Sequence, residues 1–256
     1  MNQEFITIRA KETAAKVQSS QVQAIRIKDI SKKGVRVYKD GKIGISGILG
    51  DADNAVLLKE ATQNLEAGIV YPYDLSGELK DHRIYNEQPT TAEEIVDHAE
   101  NVLAVFREEY TDFSFSESVS ATEFEYKMQN NEGLDLEYRD AYVDLTLILK
   151  EKATANLFDG ALACTTRHFD QEKFLNFNRT FLEAYRNKVA LPEGEILPVF
   201  TVGADAILDF IGRALNGERF AKGSSLFSSK LGKQLFAERI TIELNRNPEH
   251  SIRPFF

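Results

Sequence analysis

The chain has 256 residues, a net charge of −9 at pH 7, and apolar and charged shares of 43% and 28%. These values are typical of a water-soluble globular protein, and no stretch reaches the roughly 20 apolar residues that span a bilayer. The acidic balance argues against a nucleic-acid partner, because phosphate binding requires clustered Lys and Arg side chains.

Four short alternating runs in the first fifty residues predict antiparallel strands. The runs are Phe5–Ile8, Val22–Ile27, Val35–Tyr38 and Ile43–Ser46. Asp40 and Gly41 between the last two runs predict a type I′ hairpin, which requires positive φ at both positions. A helix follows, because residues 51–54 offer N-cap side chains and apolar residues then recur at helical spacing up to Gly68, a predicted C-cap.

The middle of the chain predicts a connection, a helix and a second sheet. Residues 71–89 carry two prolines and no sustained period, which favours a surface connection. Taking Thr90 as N-cap places Glu93 at the third helical position, a capping box for a helix that continues to about residue 109. Long alternating runs between residues 113 and 157, with a tight turn at residues 130–133, predict the second antiparallel sheet.

The last part of the chain predicts two helices and a change of domain. A helix is expected over residues 170–188, with an aromatic stripe on its buried face. The stripe consists of Phe174, Phe177, Phe181, Leu182 and Tyr185. The composition changes at residues 191–194, before a predicted strand near residues 198–202 and a helix over Asp205–Leu215. The fold class is therefore α+β, with two mainly antiparallel sheets and packed amphipathic helices.

Standard catalytic motifs are missing from the sequence. The four histidines lie at positions 82, 98, 168 and 250, and no two of them have the i, i+4 spacing of a helical zinc site. Cys164 precedes His168 by four residues, which is weak evidence for a nucleophile and its base. A lone cysteine forms no internal disulfide, so Cys164 is predicted to be a buried apolar residue in a reducing cytoplasm. The amino terminus also shows no export signal.

Two stretches resemble the TldD/PmbA family, once called modulators of DNA gyrase. The first runs from Gly34 to Gly44 and precedes the acidic-capped helix; the second is the glycine- and serine-rich stretch over residues 222–236. Motifs between them, around residues 130–143 and 191–195, occur in the family's order, so the resemblance covers nearly the whole chain. It implies a TldD/PmbA-type amino-terminal domain over residues 1–190. Its sub-segments 1–70 and 112–190 are joined by a linker and a helix.

In this family, TldD and its PmbA-type partner, also called TldE, form a hollow metalloprotease that trims unfolded peptides. TldD holds zinc through a His-Glu-x-x-x-His motif, whose Glu activates a zinc-bound water. The corresponding residues here are 208–213, where Leu208 and Arg213 stand at the two ligand positions. Leucine does not bind zinc and arginine repels it. The resemblance therefore implies a PmbA/TldE-like chain, with zinc only in a TldD-like partner and no cofactor of its own.

The resemblance also implies that residues 191–256 begin a truncated carboxyl-terminal domain, because family members continue well beyond the last residues of this sequence. It implies a TldD-like subunit or a second copy as partner, and unfolded peptide as substrate. The candidate peptide- or partner-binding residues are Arg36, Arg139, Ser224, Ser225 and Lys230.

Two alternatives remain open at this stage. One is an active hydrolase with an unrecognised metal site that includes His168, His250 and acidic side chains. The other is a stand-alone binding module or homodimer that forms a stable assembly without any TldD-like protein.

Overall fold

The structure is a computed structural model that describes residues 1–75, 77–86, 88–190, 193–194, 205–242 and 247. The chain divides into two compact units between residues 186 and 187. The predicted division into domains at residue 190 stays a prediction. The predicted strand near residues 198–202 lies outside the described residues.

The first unit is built on one seven-stranded sheet. The strands are β1 (Asn2–Gln18), β2 (Gln21–Lys39), β3 (Lys42–Leu49), β4 (Lys80–Ile84), β5 (Phe113–Asn130), β6 (Asp135–Glu151) and β7 (Gly160–Thr166). Their order is β3-β2-β1-β5-β6-β4, and β7 also pairs with β6. All these pairs are antiparallel except β4 with β6. The α+β class is confirmed.

The prediction of two separate sheets is wrong, because β1 pairs with β2 on one side and with β5 on the other. Only Phe5–Ile8 was expected to be a strand in this region, but β1 has 17 residues. Two predicted runs likewise belong to the single strand β2, which has 19 residues. The charged residues between the apolar runs obscured this continuity.

Helices α1 (Asn54–Gln63), α2 (Ala92–Glu109) and α3 (Gln171–Arg186) pack on the sheet. A single turn of 3₁₀ helix extends α1 to Gly68, whose φ of 70° confirms the predicted C-cap. The predicted capping box exists one residue later, with Thr91 as N-cap and Glu94 as its partner, since Thr91 has the extended backbone that an N-cap requires.

Two hydrophobic cores lie between the helices and the sheet. The large core joins α2 and α3 to β5, β6, β7 and one end of β1. The small core joins α1 to β2; its buried members are Val35, Val37, Leu57 and Ala61. Side chains alternate between the faces of a strand, so both cores lie on the same face of the sheet, called here the helix face. The other face is called the open face.

Two local predictions are wrong and one is confirmed. Phe177 and Phe181 of α3 are exposed, because the buried face of the helix runs instead through Phe174, Leu175 and Leu182. Cys164 is only half-buried, because it lies on the outer strand β7. The hairpin at Asp40 and Gly41 holds, with φ of 51° and 69°.

Strands β4 and β7 were not predicted. Both are short, and β4 lies within the predicted surface connection. Each is held as a strand by its pairing with β6, which no local pattern reveals.

In the second unit, the described residues form helices α4 (Asp205–Leu215) and α5 (Gly217–Ala221), followed by turns. Helix α4 confirms the element predicted at these positions. The side chain of Asn216 caps α5 by accepting a hydrogen bond from the Arg219 amide at 3.0 Å.

Candidate functional site

Arg36 lies on the open face of β2, where it forms part of a buried polar cluster. Its Nη1 is 2.9 Å from Oε1 of Glu4, a carboxylate that is almost fully buried. The Tyr38 hydroxyl donates to the same carboxylate oxygen at 3.2 Å. Burial, together with the charge of Glu4, raises the pKa of Tyr38 to about 12. Arg36 thus neutralises Glu4, while its side chain remains 39% exposed.

A shallow trough of about 250 Å³ lies beside Arg36. Its floor is formed where Gly34 of β2 pairs with Gly47 of β3, and neither glycine has a side chain to fill the open face. Ile6, Ile8 and Ile45 contribute apolar walls, and Lys32 and Arg36 flank the floor along β2. Gly34 belongs to the stretch that resembles the family, and its pairing with Gly47 follows from the two-residue turn at Asp40 and Gly41, which sets the register of β2 and β3.

The outer edge of β2 is a second feature of this region. Strand β3 pairs only with Lys32–Lys39, so residues 21–31 have no strand partner on that side in the described part of the chain. The Ser31 carbonyl points outward, since it accepts a hydrogen bond from the Gly50 amide at 2.7 Å. Backbone groups alternate along a strand, so Ile25 and Ile27 also direct their N–H and C=O groups away from β1. Their side chains are 53% and 63% exposed.

Arg139 lies on the helix face, in a charged cavity of about 360 Å³ between the areas that the helices cover. It contacts Glu137 at 2.5 Å and Glu125 at 3.3 Å, and Arg9 lies 3.8 Å from Glu125. The pKa of Glu125 is lowered overall: burial by itself would raise it, but the positive charges of Lys127, Arg139 and Arg9 outweigh that effect. The positive and negative side chains of this cavity therefore neutralise one another across the neighbouring strands. Because Arg139 and Arg36 lie on opposite faces of the sheet, they do not form one site.

The three remaining candidates lie in turns of the second unit. The Ser224 amide donates to the Arg219 carbonyl at 2.9 Å. The Ser225 hydroxyl donates to the Ala214 carbonyl and accepts from the Phe227 amide, the latter at 3.0 Å. The Lys230 amide also bonds within its turn. These contacts account for the serines as turn residues, and their roles in binding stay predictions.

The residues that the family resemblance aligned with the zinc motif, 208–213, lie on helix α4. Asp209 and Arg213 form an ion pair of 2.6 Å one turn apart, so the guanidinium group stands beside the only carboxylate of this segment. No group of three His, Cys, Asp or Glu side chains with metal-binding geometry occurs within the residues that the structure describes. His168 is exposed, and His250 lies outside those residues.

No helix in the described ranges is long and apolar enough to cross a membrane.

No protein-family profile matches this sequence. No curated protein matches it either.

Solved structures do match its fold. TldE from Thermococcus kodakarensis is 15% identical, with a TM-score of 0.61 over 90% of this chain and 55% of that one. A protein described as a modulator of DNA gyrase from Thermotoga maritima is 15% identical, with a TM-score of 0.61 over 91% and 56%. A second protein so described, from Bacteroides thetaiotaomicron, is 12% identical, with a TM-score of 0.63 over 91% and 57%.

These likenesses confirm the fold that the family resemblance implied. The chain spans little more than half the length of the structures that it matches.

Proposed function

We propose that this chain is a noncatalytic, TldE-like subunit that holds unfolded peptide for a TldD-like zinc protease. The fold supports the TldE-like part, because the chain shares it with TldE and with two proteins described as gyrase modulators. Fold alone does not specify function, so peptide binding is inferred from the chain's own surfaces.

The observation that carries peptide binding is the outer edge of β2. A strand edge offers unpaired N–H and C=O groups, to which an extended peptide adds as a further strand. Here Ile25 and Ile27 combine outward backbone groups with exposed apolar side chains. An extended chain would gain main-chain hydrogen bonds of low sequence preference and apolar contacts at alternate residues, which suits unfolded substrates.

Charged side chains also lie along the outer edge of β2. Arg26 and Lys28 both contact Glu12, at 2.8 and 3.4 Å, on the open face of β1 and β2. Such charges are a common protection of edge strands against aggregation. On the helix face of this edge, Ile25 and Ile27 form an exposed apolar pair between Gln23 and Asp29, so a bound peptide would place its apolar side chains beside the isoleucines.

The noncatalytic part is supported by α4. Leu208 and Arg213 replace the two histidines of the zinc motif, and Arg213 is paired with Asp209. A guanidinium group at a ligand position opposes a divalent cation. In this proposal, zinc and the activated water belong to the TldD-like partner.

The partner is tested by light scattering after size exclusion, with the chain alone and mixed with a TldD-like protein from the same genome. We expect a mixed complex whose mass is the sum of whole subunits. A chain that elutes unchanged in the presence of the TldD-like protein contradicts the accessory role, and zinc analysis of the purified chain would then be the next step.

The edge is tested separately by fluorescence anisotropy with a labelled, unstructured peptide of about ten residues that carries alternating apolar side chains. Ile27→Pro removes an outward N–H, a position where edge strands tolerate proline. We expect about ten-fold weaker binding. Val56→Lys on α1 is the control, because Val56 is a similarly exposed apolar residue, at 53%, away from the edge. Unchanged binding by Ile27→Pro would place the peptide elsewhere.

A further inference from the structure

Packing in the described part of the chain accounts for Gly47, where a Cβ atom would lie 3.1 Å from the Lys33 carbonyl oxygen, but it does not account for Gly34. Glycine inside a strand weakens it and often marks a place where a ligand approaches closely. A Cβ atom at Gly34 would have no neighbour closer than 3.8 Å. Gly44, by contrast, is required by packing, because a Cβ there would overlap the Ala61 carbonyl of α1. Gly34 therefore leaves open a space that a larger residue could fill.

The walls of the trough are apolar. Ile6 lies directly across from Gly34 on β1, and Ile45 is 49% exposed on β3. The pair Gly34 and Gly47 gives a flat backbone floor between them, and β3 is the outermost strand at this side of the sheet among the residues that the structure describes. A planar or branched apolar side chain can therefore enter from the edge and cover both glycines.

The charge beside the trough is positive. Lys32 is exposed and makes no ion pair with any described residue, whereas Arg36 is paired with Glu4. Side chains at positions 32, 34 and 36 point to the same face of β2, so the Lys32 ammonium group extends beside the apolar floor. An apolar group that carries a carboxylate complements this arrangement.

We propose that the trough binds the carboxyl-terminal residue of a peptide. Its apolar side chain lies over Gly34 and Gly47, and its terminal carboxylate pairs with Lys32. Because this site lies on the open face, it is distinct from the edge of β2 and does not depend on a TldD-like partner.

N-acetyl-tryptophan is a suitable probe, because the chain contains no tryptophan and the ligand's fluorescence is therefore observed without background. We expect a saturable change in its emission as protein is added. N-acetyl-tryptophanamide lacks the carboxylate and should bind about five-fold more weakly, as should N-acetyl-tryptophan to Lys32→Gln. Lys59→Gln, at an exposed lysine on α1, is the matched control and should bind normally.

Gly34→Val separates binding from folding. Valine favours strands and meets no close neighbour at Cβ, so the variant should be at least as stable as the native chain. It fills the trough, so we expect about ten-fold weaker probe binding or more. Absence of saturable binding, or undiminished binding to Gly34→Val, overturns the proposal.

The source of the carboxylate is tested with N-acetyl-glutamyl-tryptophanamide, which carries an internal acidic group and no terminal one. Binding as tight as that of N-acetyl-tryptophan would overturn the assignment to a peptide terminus. Failure of the mixed complex in light scattering would leave these results unchanged, so the two proposals fail independently.

Discussion

The two cores of the first unit differ in size and in what they leave exposed. Among the described residues, the large core contains twenty buried members, drawn from two helices and four strands. The small core contains four, beneath α1 alone. The glycine trough lies on the open face, behind the small core, whereas Ile25 of the β2 edge lies at the large-core end of the sheet, since it pairs with Ala15. The candidate binding surfaces therefore lie on the open face and at the outer edge of the sheet, where the helices leave it uncovered, and not beside one core alone.

The largest loss of stability is expected for Phe106→Ala, in the large core. Phe106 is fully buried and stacks on Phe115 with ring centroids 5.1 Å apart. Its truncation should reduce the free energy of unfolding by about 4 kcal/mol, measured by urea denaturation. Leu57→Ala in the small core should cost only about 2 kcal/mol, because α1 can move toward the sheet. Equal losses would show that the two cores contribute alike.

Arg167→Leu tests a polar contact that supports the β6 side of the sheet. Arg167 pairs with Asp140 at 2.6 Å, and the Asp140 side chain is fully buried. Removing the guanidinium group leaves an uncompensated buried carboxylate, so the free energy of unfolding should fall by about 3 kcal/mol.

Arg179→Leu is the control for this variant, because its 2.6 Å pair with Glu109 is more than one-third exposed on both sides. It should change stability by less than about 1 kcal/mol. Similar effects of the two variants would contradict the role given to burial.

Gly44→Ala tests how closely α1 packs on β3 in the small core. A Cβ at this position overlaps the Ala61 carbonyl, so α1 must shift away from β3. We expect a loss of about 2 kcal/mol in urea denaturation. Gly34→Ala, where space exists, should leave stability the same or slightly higher, because alanine restricts the unfolded chain. If both variants lost equal stability, space at Gly34 would be less than the structure indicates.

The smallest expected effect is a pH dependence beside the large core. Asp159 accepts hydrogen bonds from the side chain of Asn156, the amide of Glu151 and the hydroxyl of Tyr185, and these lower its pKa to about 2. A lowered pKa stabilises the fold above the ordinary value of 3.8, and this contribution disappears as pH falls toward 2.

The midpoint temperature of thermal unfolding of Asp159→Asn should therefore be lower than that of the native chain near neutral pH. The difference should narrow between about pH 4 and pH 2. A difference that stays constant over this range would mean that Asp159 does not titrate as these contacts require.

Local patterns predicted most elements of the first unit. The Asp40-Gly41 turn and the helix that ends at Gly68 depend on residues close in sequence, and both are confirmed. The capping box was placed one residue early, because Thr90 and Thr91 are both able to cap and only the backbone distinguishes them. The family resemblance predicted a fold that the comparisons confirm.

Candidate sites were harder to predict. Arg36 and Arg139 were considered together, but the pairing of the strands places them on opposite faces. The predicted turn sets the pairing of Gly34 with Gly47, but the Ile6 wall of the trough depends on the register of β1 with β2.

The sequence by itself determined the class of the fold, the turn at Asp40 and Gly41, and the C-cap at Gly68, because each depends on residue type at nearby positions. Only the tertiary structure decided that the strands form a single sheet, that the outer edge of β2 is unpaired in the described part of the chain, and that two glycines share one trough. The single sheet depends on the pairing of β1 with β5, which are far apart in the sequence, and the trough needs the Ile6 side chain that β1 brings beside Gly34.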